Sequence, residues 1–133
     1  MSAWTKLSNW LLTFLWMGVI YAFSSQPSDE LPDFGLYDLL VKKGGHMLGY
    51  AILAWLFSRS WEGFHFSPCN VFLLAFFAAV LYAVSDEIHQ SFVPGRHPSA
   101  VDVLIDATGA MIGLWVRKIL PSSLQKTAPS DGK

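Results

Sequence analysis

The chain has 133 residues, 53% of them hydrophobic and only 14% charged, with a formal net charge of −1. Soluble domains carry about 25% charged residues, and a soluble chain this short has too little interior to hide so much apolar surface, so the composition points to lipid as the solvent. No basic face suits nucleic acid, and the single cysteine, Cys69, excludes an internal disulfide and reads as a small packed or interfacial apolar residue.

A helix needs about 20 mostly apolar residues to cross the bilayer core. Four segments qualify: 7–23 (LSNWLLTFLWMGVIYAF), 44–61 (GGHMLGYAILAWLFSRSW), 70–89, and 99–120 (SAVDVLIDATGAMIGLWVRKIL). None shows the alternation of a membrane strand. The first starts near Lys6 and ends in AFSSQ, which has a faint look of a signal-peptide cleavage site. Its polar SSQP reads as retained, and the other three helices keep their orientation either way. Between the first two segments lie the loop SSQPSDELPDFG and the stretch LYDLLVK, expected to be a short amphipathic turn on the membrane surface. EGFHFSPCN and VPGRHPS read as the remaining loops, with Ser99 placed to cap the fourth helix. The expected architecture is all-α: a polytopic membrane protein with a four-transmembrane-helix bundle in one domain, 1–120. A polar, disordered cytoplasmic tail, 121–133, follows it.

Basic residues set the orientation. With the N-terminus inside, Lys6, Arg59, Arg117, Lys118, Lys126 and Lys133 are cytoplasmic, against Lys42, Lys43 and Arg96 outside. Both termini are therefore expected in the cytoplasm. The first loop is acidic (Asp29, Glu30, Asp33, Asp38), which weighs little in this rule.

That orientation gathers polar residues at the outer end. Ser24, Ser25 and Gln26 close the first helix, and Lys43, His46 and Tyr50 open the second. Asp86, Glu87, His89 and Gln90 close the third, while Arg96, Asp102 and Asp106 lead into the fourth. Asp86, His89 and Gln90 stand at i, i+3 and i+4 and so share a face, as do His46 and Tyr50. Ser99, Asp102, Asp106, Gly109 and Gly113 form one stripe, whose Gly-x-x-x-Gly permits close helix contact and turns the aspartates inward. Asp106 lies two turns into its helix; an aspartate at depth costs about 2.5–3.5 kcal/mol on insertion scales, so it should face a partner or water. Several of these residues also have plain readings. Asp102 is placed as a helix-end charge, Glu87 as a solvated group, and Arg96, Lys42 and Lys43 as headgroup contacts.

The segments FSSQP, KKGGHMLGYAIL and DEIHQSFVPGRHPSAVDVLIDATGAMIG together resemble the VanZ-like membrane proteins. That family's pattern joins a Ser-Ser-Gln-Pro turn, a Lys-x-x-His-x-x-x-Tyr helix start, an Asp-Glu-x-His-Gln…Pro-Gly-Arg segment and an Asp-x-x-x-Asp/Asn-x-x-Gly-Ala-x-x-Gly helix. Lys43, His46 and Tyr50 match the second part, Asp86 through Arg96 the third, and Asp102, Asp106, Gly109, Ala110 and Gly113 the fourth. The resemblance covers about Phe23 to Gly113. It implies a small multi-pass protein of the bacterial cell membrane, and its type member is associated with resistance to the glycopeptide teicoplanin. It implies no settled activity.

Three readings of the chemistry follow. In an enzyme acting on a phosphorylated or lipid-linked envelope substrate, Arg96 clamps an anion and His46 and His89 move protons. Asp86, Glu87, Gln90, Asp102 and Asp106 then orient them, and Ser24, Ser25, Gln26, Lys43 and Tyr50 hold the substrate. A divalent metal is a second reading: Asp86 and His89 at i, i+3, completed by His46, resemble a helical carboxylate–histidine ligand set. A non-enzymatic binder of lipid headgroup or antibiotic, or a proton-coupled carrier, is the third. Membrane lipids are partners in each, and the glycine faces leave room for a homo-oligomer.

Overall fold

The computed structural model describes residues 1–27 and 35–120. Among the described residues four helices run in sequence: α1 (Ala3–Ser24), α2 (Leu36–Trp61), α3 (Pro68–Gln90) and α4 (Ala100–Ile119). There is no strand among the described residues. α1 and α3 are long and apolar enough to cross a membrane. The loop acids Asp29, Glu30 and Asp33, and the tail 121–133, lie outside the described residues.

Local chemistry fixes the helix starts. The Ser2 and Ser67 hydroxyls accept from the backbone N–H of Thr5 and Asn70, capping α1 and α3, and Pro68 supplies a first-turn φ already suited to a helix. Ser99 caps α4 by accepting from Val101 N–H, while Arg117 and Lys118 place positive charge at its carbonyl end. One expectation is overturned. LYDLLVK is not a separate surface turn but the first two turns of α2, which runs unbroken through Gly44 and Gly45. An i, i+4 pair between Asp38 and Lys42 (2.6 Å) braces this stretch and helps to offset the helix cost of the glycines. Gly35, at φ 66°, makes the turn that starts it.

α2 touches all three other helices, whereas α1 and α4 do not meet. The α2–α4 contact is the closest. A Cβ on Gly109 would overlap the Met47 carbonyl and lie 2.9 Å from Met47 Cα; one on Gly113 would overlap Ala51 and lie 2.8 Å from its Cα. Backbone therefore rests on backbone, as the Gly-x-x-x-Gly spacing predicts. Ala75, Ala79 and Ala83, at every fourth position of α3, are fully buried against this pair, with Leu53, Ala54 and Ala110 completing the core. Cys69, expected to be packed or interfacial, is exposed at the first turn of α3, where the core has not begun, so it does not pack.

The C-terminal ends of α1 and α3 and the N-terminal ends of α2 and α4 share one end of the bundle, termed the upper end. At the lower end, Thr13 donates to Asn9 O (2.8 Å) and meets Ser60 Oγ (3.0 Å), Asn9 Nδ2 donates to Arg59 O (3.4 Å), and Arg117 Nη2 pairs with Glu62 (2.6 Å).

Candidate functional site

The α2–α4 clamp sets the first part of the upper site. Met47 is adjacent to His46, and Asp106 is three residues before Gly109. Seating the glycines on α2 therefore brings His46 Nδ1 to 3.5 Å from Asp106 Oδ1. The separation exceeds an ordinary N–H···O bond of about 2.7–3.2 Å, so neither Asp106 oxygen has a hydrogen-bond partner although Asp106 is only 1% exposed. One turn deeper, Tyr50 is also 1% exposed, and its hydroxyl is unpartnered. Both Asp86 and Asp106 act on that hydroxyl electrostatically.

Asp86 enters from α3. Its Oδ2 accepts from Ser24 Oγ (2.7 Å) and Gln90 Nε2 (3.3 Å), and Gln90 also donates to Ser24 Oγ (3.3 Å). Its Oδ1 has no partner. Glu87 is buried, not solvated as its helical position implied. The α3–α4 connection folds back over it, so that Oε2 accepts from Ser99 N–H (3.0 Å) while Oε1 is left unpartnered. Among the described residues, six buried side-chain atoms lack a hydrogen-bond partner, and all but Trp61 Nε1 lie here, on Tyr50, Asp86, Glu87 and Asp106. Buried polar atoms are normally paired, and orphans concentrated in one place mark a place where water, an ion or a ligand belongs.

The rim is made of paired charges. Asp102 does not act as a bare helix-end charge; it accepts from Lys43 Nζ (2.7 Å), which ties α2 to α4 above His46. Arg96 Nε and Nη2 donate to Gln26 O (3.0 Å) and Phe23 O (3.4 Å), anchoring the third connection to the end of α1 and leaving further guanidinium donors for an anion. His89 lies to one side: its Nε2 is 2.9 Å from Ser25 Oγ, and its ring stacks on Tyr21 at 4.4 Å.

A half-open cleft of about 450 Å³ reaches this cluster between α1 and α2. Ser24, Gln26, Lys42, His46, Tyr50 and Arg96 form its polar wall. With Nδ1 turned to Asp106, Nε2 is the imidazole nitrogen left for a ligand. Ser25, Lys43, Asp86, Glu87, His89, Gln90, Asp102 and Asp106 do not line this cleft, and of the residues with orphaned atoms only Tyr50 does. The metal reading does not fit. Asp86, His89 and His46 point to Ser24, Ser25 and Asp106 respectively. No group of three or more His, Cys, Asp or Glu side chains is placed to hold a metal ion among the described residues.

Sequence reasoning missed Trp16, whose Nε1 donates to Gly49 O (2.9 Å), and Tyr82, whose hydroxyl donates to Met17 O (2.7 Å). Both tie α1 to its neighbours through backbone carbonyls of residues that carry no polar side chain of their own, so no pattern of residue types announces them.

An all-helical chain with two membrane-length helices and a polar cluster at one end is the class these observations define. Within it, the family model described as VanZ/LLP1 matches residues 9–121, and the chain belongs to that family. No curated protein and no solved structure matches the chain.

Proposed function

We propose that all four helices span the bacterial cell membrane with both termini in the cytoplasm. The upper end then faces outward and receives the phosphate or carboxylate of a lipid-linked envelope substrate. The outer faces of α2 and α4 support the four-span reading, since Leu48, Leu104 and Trp115 are more than 60% exposed, as residues in contact with lipid would be. In the site, Arg96 binds the anion through its free guanidinium donors. His46 moves a proton through Nε2, oriented by Asp106, while Tyr50 and Ser24 line the cleft and Asp86 and Gln90 hold Ser24 from outside it. An envelope role, including altered sensitivity to teicoplanin, is the expected phenotype.

The observation that carries this reading is the set of buried, unpartnered atoms on Tyr50, Asp86, Glu87 and Asp106 beside the His46–Asp106 pair. Binding without turnover is a second reading, favoured by Arg96, two of whose donors are already held by backbone carbonyls. Bacterial envelope lipids incubated with the purified protein in nanodiscs, followed by mass spectrometry, test the first. Turnover is expected, with at least a tenfold loss in His46→Gln and Arg96→Gln (about 1.4 kcal/mol or more of transition-state stabilisation). Turnover undiminished in both variants overturns the acid–base assignment; saturable binding with no turnover replaces it with the second reading.

A further inference from the structure

Beside its polar wall the α1–α2 cleft is apolar. Val41, Gly45, Leu48 and Ile52 follow one another at i, i+4, i+7 and i+11 along α2, facing Val19 and Ile20 of α1. Trp16, held across the gap by its bond to Gly49 O, is the floor. From Lys42 to Ile52 the cleft spans eleven residues of α2, ten helical rises or roughly 15 Å, which is about half of a 30 Å hydrocarbon core, or one leaflet. The lips, Phe23, Val41 and Leu48, are exposed apolar residues. Both cations stand at the upper end, Lys42 paired with Asp38 and Arg96 bonded, among the described residues, only to carbonyls, so Arg96 supplies the positive charge of the mouth. A slot with a cationic mouth, an apolar body and one leaflet's depth has the charge and polarity profile of an anionic lipid lying parallel to the helices.

We propose that the α1–α2 cleft holds one hydrocarbon chain of the lipid whose anionic group sits at Arg96 and His46. This rests on the headgroup reading above and adds to it: the substrate class is a membrane lipid entering sideways from the outer leaflet, not a soluble phosphate. The small residues have a purpose in this arrangement. A Cβ on Gly45 meets nothing within 4 Å, so the glycine leaves open volume that a larger side chain would occupy.

That volume gives the test. Dodecyl phosphate and ethyl phosphate share the anion and differ in the chain. They are titrated by phosphorus NMR against the full chain in phosphatidylcholine nanodiscs. Wild type is expected to prefer dodecyl phosphate by about tenfold or more. Gly45→Leu fills the slot from α2 in open space and with a better helix former; Val19→Trp fills it from α1. Partition into the bilayer is common to all three proteins, so each variant is expected to cut the preference at least about fivefold relative to wild type. A preference unchanged in both variants, with ethyl phosphate still bound, overturns the chain-binding proposal and leaves the headgroup reading standing. Neither phosphate binding to wild type overturns the headgroup reading, and this proposal with it.

Discussion

At the lower end of the bundle Thr13 is 0% exposed and has a hydrogen-bond partner on either side, Asn9 O and Ser60 Oγ. At the upper end Asp106 is 1% exposed and neither of its oxygens is hydrogen-bonded. The two ends are built from the same four helices and bury comparable numbers of polar groups. One end has matched its hydroxyls and amides internally and, among the described residues, leaves a single buried donor, Trp61 Nε1, without a partner. The other end holds carboxylates, which are far costlier to bury than hydroxyls, and leaves four of their oxygens and a tyrosine hydroxyl unmatched. Local rules broken together in one place point to function there and to stability elsewhere.

The contrast can be broken or sharpened by substitution. The largest effect is expected where the ends are joined. In Gly109→Ala the new methyl meets Met47 backbone, which has no side-chain freedom to yield, and overpacking of this kind costs about 1–3 kcal/mol. The thermal midpoint in detergent should fall, whereas Gly44→Ala, whose Cβ meets nothing within 4 Å, should leave it level or raise it. A fall in both variants would show that the clamp is not what makes Gly109 special.

The second effect is a crossover. Asp106→Asn keeps the shape and removes an unmatched carboxylate, so function in the lipid assay should fall tenfold or more while the midpoint holds or rises. Thr13→Val should do the reverse, losing about 1 kcal/mol of stability with the hydrogen bonds to Asn9 and Ser60, and keeping function. If Asp106→Asn unfolds the protein and stays active, the assignment of the two ends is reversed. The smallest effect is expected at Glu62→Gln: Glu62 is 44% exposed although Arg117 is buried, and a pair open to solvent on one side is worth about 0–1 kcal/mol. Arg117 keeps Trp55 O and the Trp55 ring (5.6 Å) in any case, so the midpoint should move by little more than the measurement error.

Much of the fold was legible in the residues because the helices of this chain are written as long apolar runs. α1, α3 and α4 fall within a few residues of their expected bounds, and the Gly109–Gly113 spacing announced the contact with α2. The start of α2 was not legible. Gly44-Gly45 reads as a break, and only the Asp38–Lys42 pair, a matter of side-chain reach, indicates that the helix runs through. The gathering of Ser24, His46, Asp86 and Asp106 followed from which helix ends share a side. What the residues did not reveal is who faces whom within that end. His89 turning to Ser25 and Tyr21 instead of toward His46, Glu87 folding under Ser99, and the cleft opening beside α1 all depend on helix rotation, which a one-dimensional pattern leaves free.

The seat of α4 on α2 has one more consequence. Gly109 and Gly113 rest on Met47 and Ala51, four residues apart on each helix, so the fit works like a key in notches. The next seat is a full turn away, about 5.4 Å, and small slides are blocked by backbone. The same seat sets the 3.5 Å separation of the imidazole and the carboxylate on these two helices. α1 makes no contact with α4, so its own packing takes no part in this seat.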